Sequence, residues 1–327
     1  MSGVRHLSVG KDEAGMRLDR WFRHHFPQVT QGQLQKLLRK GQVRVDGSKA
    51  KTADRLVAGQ QIRVPPVPSG DSRPPKPVSK LSAADRQFLE SITLYEDNDL
   101  LILNKPSGIA VQGGTKTSRH IDGMLAGLSA DPERRPHLVH RLDRDTSGVL
   151  VVAKRRPVAA KMGRMFQTRS VRKIYWAVVR GVPKPPQGKV DAALVKAMSP
   201  EGERVRAARP GEQEEAQAAV THYSVIDRAA QKYAWMSLKP VTGRQHQLRA
   251  HMAIIGHPIV GDQKYDGGVE LPDAIENRLH LHARRIAFPH PVTNKKLDIT
   301  APLPDHMVKS FAALGFEVGA AADGQGD

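Results

Sequence analysis

The sequence predicts an α+β protein in two parts, a small basic N-terminal domain and a larger domain built on a largely antiparallel sheet. Three observations carry this. Beyond residue 100, strand-like runs outnumber helical ones and show no regular strand–helix alternation, which argues against a parallel α/β sheet. The first 64 residues hold two short helical patterns followed by a hairpin signal. Between the two regions lie six prolines, at 65, 66, 68, 74, 75 and 77, a composition that forms semi-rigid extended linkers.

The N-terminal elements follow from spacing and capping. Leu18, Trp21, Phe22 and Phe26 recur at helical spacing within Arg17–Phe26. Thr30 is placed to cap a second helix, Gln31–Lys40, and Gln33 completes a capping box. That helix sets Leu34, Leu37 and Leu38 on one face, and Gly41 ends it. Val43-Arg44-Val45 alternates as a strand, Asp46-Gly47 signals a hairpin turn, and Gln61–Val64 closes the unit. Two short helices and a basic hairpin in this order resemble the S-four-type RNA-binding domain, on the strength of Arg17-Leu18-Asp19 and Arg39–Gly47. The bland alternative is a helical hairpin with a solvated basic face. Charge favours RNA: residues 1–80 hold 16 Lys/Arg against 6 Asp/Glu. Arg39, Lys40 and Arg44 are the expected contacts. The domain is expected over residues 1–64, with a linker over 65–91.

The larger domain is expected over residues 92–314. Its strands are read near 100–104, 148–153, 172–179, 220–226, 233–239 and 284–288, and its helices near 118–128, 157–168 and 246–255. Gly181–Gln217 carries Pro183, Pro185, Pro186, Pro200 and Pro210 with few apolar residues, which predicts an elaborated loop around one short strand. The last residues, 315–327, are small and acidic and read as a disordered tail.

Bulk composition narrows the function. The chain has 327 residues, no Cys and a net charge of +18. Disulfides, thiolate chemistry and Cys-based zinc sites are excluded. An enzyme of small metabolites does not need such a charge, so nucleic acid is the expected partner. No apolar run approaches the 18 residues of a membrane span, and Met1–Gly10 lacks the apolar core of a signal peptide. No basic amphipathic helix or lipidation signal is seen either, so no membrane partner is expected. The reading is a soluble, cytoplasmic monomer.

Residues 140–154, HRLDRDTSGVLVVAK, hold the densest chemical signal. A β-branched apolar run, Gly148–Ala153, follows a polar stretch that includes Arg141, Asp143, Arg144 and Asp145. Polar side chains at the mouth of a buried strand are where folds place sites. Spacing alone equally allows a capped turn feeding a strand.

HRLDRDTSG resembles the signature of the RluA family of pseudouridine synthases. Three further stretches fit the same family in the same order. They are Asp99–Gly108 (DLLILNKPSG), Lys173–Ala177 (KIYWA), and Gly243–Tyr265 with Leu281-His282-Ala283 and Phe288–Pro291. The match runs over about residues 92–305. Gln245 stands where the family more often has Thr, Lys or Arg. The resemblance implies a bent, mixed, largely antiparallel sheet with a cleft across its middle, the pseudouridine synthase fold. It implies breakage of a uridine N1–C1′ bond and reattachment through C5, a reaction with no redox change or group donor and so no cofactor.

The same resemblance assigns roles. Asp143 matches the catalytic Asp, acting as nucleophile at C1′ or as base at the ribose. Arg249 matches the cation expected to keep it ionised. Tyr175 matches the aromatic residue that stacks on the target base, and Leu281 an apolar residue packing beneath the uracil. The uridine must leave its helix, and Arg141 is the residue expected to fill the gap. Lys105 is a phosphate contact or a structural turn residue. The RluC-type branch of the family, acting on large-subunit (23S) ribosomal RNA, fits best. Transfer RNA or another ribosomal site is the alternative within the chemistry, and a non-catalytic ribosome-assembly protein the alternative outside it. A metal hydrolase fits poorly. His246, His251, His257, His280, His282 and His290 cluster late in the chain, but His246 and His251 are five apart and no His-Glu-x-x-His occurs. No metal is expected. Ser147 lacks the elbow glycines of a Ser hydrolase.

Overall fold

Backbone pairing in the structure, a computed structural model describing residues 3–67, 81–113, 119–129, 135–199 and 202–319, is antiparallel almost throughout. The chain divides into two units, residues 1–79 and 80–327. The fold class is α+β.

The first unit runs β1 (Arg5–Ser8), α1 (Leu18–His25), α2 (Gln31–Arg39), β2 (Arg44–Val45), β3 (Ser48–Lys49) and β4 (Gln61–Val64). The capping box forms: Thr30 Oγ1 accepts the Gln33 N–H at 3.3 Å, and Gln33 Oε1 accepts the Thr30 N–H at 2.8 Å. Asp46 (φ 48°) and Gly47 (φ 77°) are both left-handed, as a tight two-residue hairpin turn requires. The four strands form a sheet in the order β1-β4-β2-β3. Strand β1 escaped the sequence reading because it is largely exposed and carries no apolar alternation. Leu18, Trp21, Phe22 and Phe26 of the first helical segment bury against Leu34, Val43 and Ile62.

The second unit begins earlier than residue 92. Helix α3 (Ala83–Ser91) occupies part of the expected linker, with Ser82 Oγ accepting the Asp85 N–H at 3.0 Å. It buries only Leu89, too little periodicity to read behind a proline run. The prolines beyond residue 67 lie outside the described residues.

There follow β5 (Thr93–Glu96), β6 (Leu100–Lys105), α4 (Ile121–Ala126), β7 (His137–Leu138), β8 (Ser147–Ala153), α5 (Arg156–Gln167) and β9 (Arg172–Arg180). Next come β10 (Gln187–Asp191), β11 (Leu194–Ser199), β12 (Gly202–Ala207), β13 (Val220–Ala229) and β14 (Tyr233–Pro240). The unit ends with α6 (Gln247–Ile254), β15 (Leu281–Pro289), β16 (Lys296–Thr300) and α7 (Asp305–Leu314). The region read as loop with one short strand thus holds β10 and the β11–β12 hairpin. Its strands are half-exposed, so their pattern does not stand out from the surrounding prolines. The expected disordered tail also starts too early. Phe316 is buried with Trp235 and Phe311, and residues 320–327 lie outside the described residues.

The main sheet runs β10-β13-β14-β9-β15-β8-β6-β5, with β16 on β15 and β7 on β8. Among its described pairings only β15–β8 is parallel, and it consists of two register pairs, His282↔Ser147 and Ala283↔Gly148. Beyond that contact β15 turns to β16 and β8 to β7. The sheet is therefore joined at its middle by a seam of two residue pairs. Gly148 makes the seam possible. Its φ is 108°, and a Cβ there would collide with the Ala283 backbone.

Behind the seam three histidines are buried. His282 Nδ1 meets Ser147 Oγ at 2.8 Å and His280 Nε2 meets Ser310 Oγ at 2.8 Å. His306 lies edge-on to His280, ring centroids 5.2 Å apart. Burial pushes His280 and His282 down to about 4 and lowers His306 as well.

Two outcomes follow from this packing. A histidine held near 4 when folded and near 6.5 when unfolded leaves the unfolded chain binding more protons between those values. Stability should be flat above about pH 6.5 and fall as pH drops toward 4, by on the order of 3 kcal/mol for each of His280 and His282. Urea midpoints measured from pH 8 to 4.5 check this; a midpoint unchanged down to pH 5 would contradict it. Gly148→Ala should lower the melting temperature sharply, because both the conformation and the collision oppose it. An unshifted thermal transition would count against the seam.

Candidate active site

The loop from Val139 to Thr146 delivers Asp143 to the mouth of β8, at the narrow seam. The loop is tied down from below by Lys105. Lys105 is fully buried, and its Nζ donates to the carbonyls of Pro106, Ile109 and Arg144, each at 2.9 Å. All its protons are spent on backbone, so it is not the phosphate contact that sequence allowed. It is the structural turn residue. Burial lowers the affinity of this ammonium for its proton, and the charges of Asp145 and Asp143 oppose that.

Asp143 is 22% exposed and lies between two cavities of about 750 and 580 Å³. The larger one is walled by Tyr175, Leu281, Leu248 and Lys173, and the smaller by Lys264, Asn277 and Arg278. Arg141 is exposed, lines both, and has no hydrogen-bond or ion-pair partner among the described residues. Tyr175 and Leu281 arrive from paired strands β9 and β15, where Leu281 is in register with Ala177. Burial, with Asp143 adding to it, raises the Tyr175 phenol far out of the working range, so the ring stays neutral.

Arg249 Nη1 lies 3.6 Å from Asp143 Oδ2. Its stronger partner is one that sequence reading did not assign a role. Asp262 takes the Arg249 Nε and Nη2 protons at 2.7 Å each, and its side chain is 0% exposed. The bidentate pair fixes the plane of the guanidinium and leaves Nη1 to face Asp143. The Tyr265 ring stacks on the same guanidinium at 5.3 Å. Asp262 sits inside the motif Gly243–Tyr265, so a buried partner for an Arg on an apolar helix was the signal available. Gly261 beside it has φ 69°, and a Cβ would strike the Arg278 backbone, which keeps Asp262 in place.

His246 precedes helix α6 with left-handed backbone, φ 50°. Its Nε2 is 4.0 Å from Asp143 Oδ2 and its Nδ1 3.2 Å from the Tyr265 hydroxyl. The other late histidines are dispersed. His251 contacts Thr221 and His257 the Arg180 carbonyl. Two clusters elsewhere bring three ligand atoms within 4.8 Å, Glu13–His24–His25 and Asp97–Asp99–His290. Their carboxylates already accept protein donors: Trp21 Nε1 on Glu13, Tyr95 Oη on Asp97, and Arg155 on Asp99.

Of the expected N-terminal contacts, Arg39 and Lys40 are exposed at the end of α2. Arg44 is exposed too, but its Nε and Nη1 already donate to the Gly41 and Gly47 carbonyls at 3.1 and 2.9 Å. It braces the hairpin turn.

The cleft thus joins the Asp143 carboxylate, a held guanidinium, a neutral aromatic face, an apolar platform and an arginine unpaired among the described residues. Comparison with known proteins gives a consistent picture. Residues 99–254 match the family described as RNA pseudouridylate synthase, and residues 16–62 match the S4 domain. The chain is 38% identical to ribosomal large subunit pseudouridine synthase C of Escherichia coli K12 over 326 residues, covering 95% of this chain and 97% of the relative. It is 37% identical, with the same coverage, to the protein of that name from Vibrio cholerae. Among solved structures it resembles human RNA pseudouridylate synthase domain containing 4, with a TM-score of 0.59 and 29% identity, over 72% of this chain and 98% of that one.

The buried pair makes a prediction. Asp262→Ala strands the Arg249 charge in the interior and should cost about 3–5 kcal/mol of stability. Asp143→Ala removes a more distant and partly exposed partner and should cost far less. Chemical denaturation of the two variants checks the order, and equal losses would contradict it.

Proposed function

As the chain belongs to the RNA pseudouridylate synthase family, we propose that it isomerises specific uridines to pseudouridine in large-subunit (23S) ribosomal RNA. It is an RNA-modifying isomerase. The observation that carries the assignment of roles is the position of Asp143, between two cavities and 3.6 Å from a guanidinium held by Asp262.

The residues divide the work as follows. A uridine rotated out of its helix enters the larger cavity, its base against Tyr175 and over Leu281. Arg141, exposed at the rim and unpaired among the described residues, fills the gap left in the RNA. The Asp143 carboxylate faces the sugar and acts as nucleophile at C1′ or as base at the ribose. The N1–C1′ bond breaks, the base turns, and a bond forms between C5 and C1′. The C5 proton is lost and N1 is protonated, so the product is an isomer and no other reactant is consumed. Arg249 faces the Asp143 carboxylate from 3.6 Å, a fixed cation beside the group that reacts.

Arg39 and Lys40, with the basic surface of residues 1–79, supply affinity for phosphate rather than chemistry. Ribosomal RNA as substrate supports a cytoplasmic location.

The deciding experiment maps pseudouridines in large-subunit ribosomal RNA from cells with and without this protein. Loss of one or more sites is expected, and an unchanged map would refute the substrate. Purified Asp143→Asn should bind RNA normally and turn over at least 10³-fold more slowly, an on-the-order-of figure for removal of an essential catalytic group. Deleting residues 1–79 should weaken binding and flatten the dependence of log affinity on log salt, each lost phosphate contact removing roughly 0.7–0.9 from the slope. An unchanged slope would assign the N-terminal charge to a merely solvated surface.

A further inference from the structure

His246 lies in the cleft without a task in the mechanism above. Its side chain is 9% exposed and its backbone is left-handed, a conformation that non-glycine residues hold against a penalty and that clusters at functional sites. The ring touches two groups of opposite character. Nε2 is 4.0 Å from Asp143 Oδ2, and Nδ1 is 3.2 Å from the Tyr265 hydroxyl.

The tautomer follows from Tyr265. Its hydroxyl oxygen already accepts the Val205 N–H at 2.9 Å, and its own proton remains to be donated. Given to Nδ1, that proton makes Nδ1 an acceptor and places the ring proton on Nε2, facing Asp143. The charges around the ring are Asp143, Arg249, Lys264 and Asp262 from its own surroundings, and Glu203 from the hairpin. Burial, the largest influence on it, favours the neutral ring.

Arg249 and His246 both approach Oδ2 of Asp143. Oδ1 has no donor among the described residues. We propose that His246 is a positioning residue: as the Nε2–H tautomer set by Tyr265, it holds Oδ2 of Asp143 and so aims Oδ1 at the ribose. The proposal rests on the pseudouridine synthase reading. Nε2 stands 4.0 Å from Oδ2, and catalytic hydrogen bonds commonly tighten in the substrate complex. The Val205–Tyr265 link also ties the β11–β12 hairpin to the orientation of the catalytic carboxylate.

The test uses the full-length enzyme, a large-subunit RNA fragment containing the mapped uridine, and two variants. His246→Asn tolerates left-handed backbone and is too short to reach Asp143. Tyr265→Phe keeps the imidazole and removes the proton that sets its tautomer. Each should lower kcat about tenfold, the scale of one hydrogen bond to a charged group, with KM changed less than about threefold. The double variant should be no slower than His246→Asn, because the two groups act in series. Long-range ¹H–¹⁵N spectra of the ¹⁵N-histidine protein should show His246 as Nε2–H in the wild type and as a mixture in Tyr265→Phe. A wild-type Nδ1–H tautomer, additive losses, or a defect confined to KM would overturn the proposal. Should His246→Asn fail to fold, the spectrum and the Tyr265→Phe kinetics decide. Wild-type enzyme inactive on the RNA overturns the functional reading instead, and the tautomer can still be read independently of it.

Discussion

A guanidinium almost wholly removed from water needs a partner, and in this protein that need organises the cleft. Arg249 is buried on α6 and satisfied by Asp262, itself buried, through two hydrogen bonds of 2.7 Å. Removing either charge alone would leave the other stranded in the interior, where desolvation is severe. The pair therefore locks α6 to the turn after Ile259, and Gly261 is the residue that lets that turn pass the Arg278 backbone. Asp143 stands outside this pair, partly exposed, and receives the remaining Nη1. The Asp143 carboxylate thus faces a cation whose direction is set elsewhere.

The sheet serves the same end. Its halves meet through two residue pairs between β15 and β8, and the Asp143 loop leads into β8 at its start. A weak seam would leave the loop free to wander. Lys105 prevents this from beneath by donating to Arg144, Pro106 and Ile109, and Gly108 adds its N–H to the Arg144 carbonyl at 2.9 Å. A buried ammonium with its three donors on carbonyls is a rigid pin, and it acts one residue from the Asp143 carboxylate.

Sequence by itself determined much. A largely antiparallel sheet, a capped α2, the Asp46-Gly47 hairpin turn and a strand over 148–153 were legible because local rules govern them: spacing, capping and turn chemistry. Asp143, Tyr175, Arg249, Arg141 and Leu281 were singled out through ordered motifs, and the fold brings all five to one cleft. What only the tertiary structure decided is long-range. Lys105 carries the same charge whether it meets phosphate or three carbonyls, and only burial separates those roles. The Arg249–Asp262 pairing spans 13 residues and the Tyr265–Val205 link 60, separations at which no local pattern records a contact. Helix α3, β1 and the β11–β12 hairpin bury too few side chains to leave a periodic trace. Chain chemistry names the groups; the fold alone sets which of them lose water, and a charge that loses water must find the partner that gives it a function.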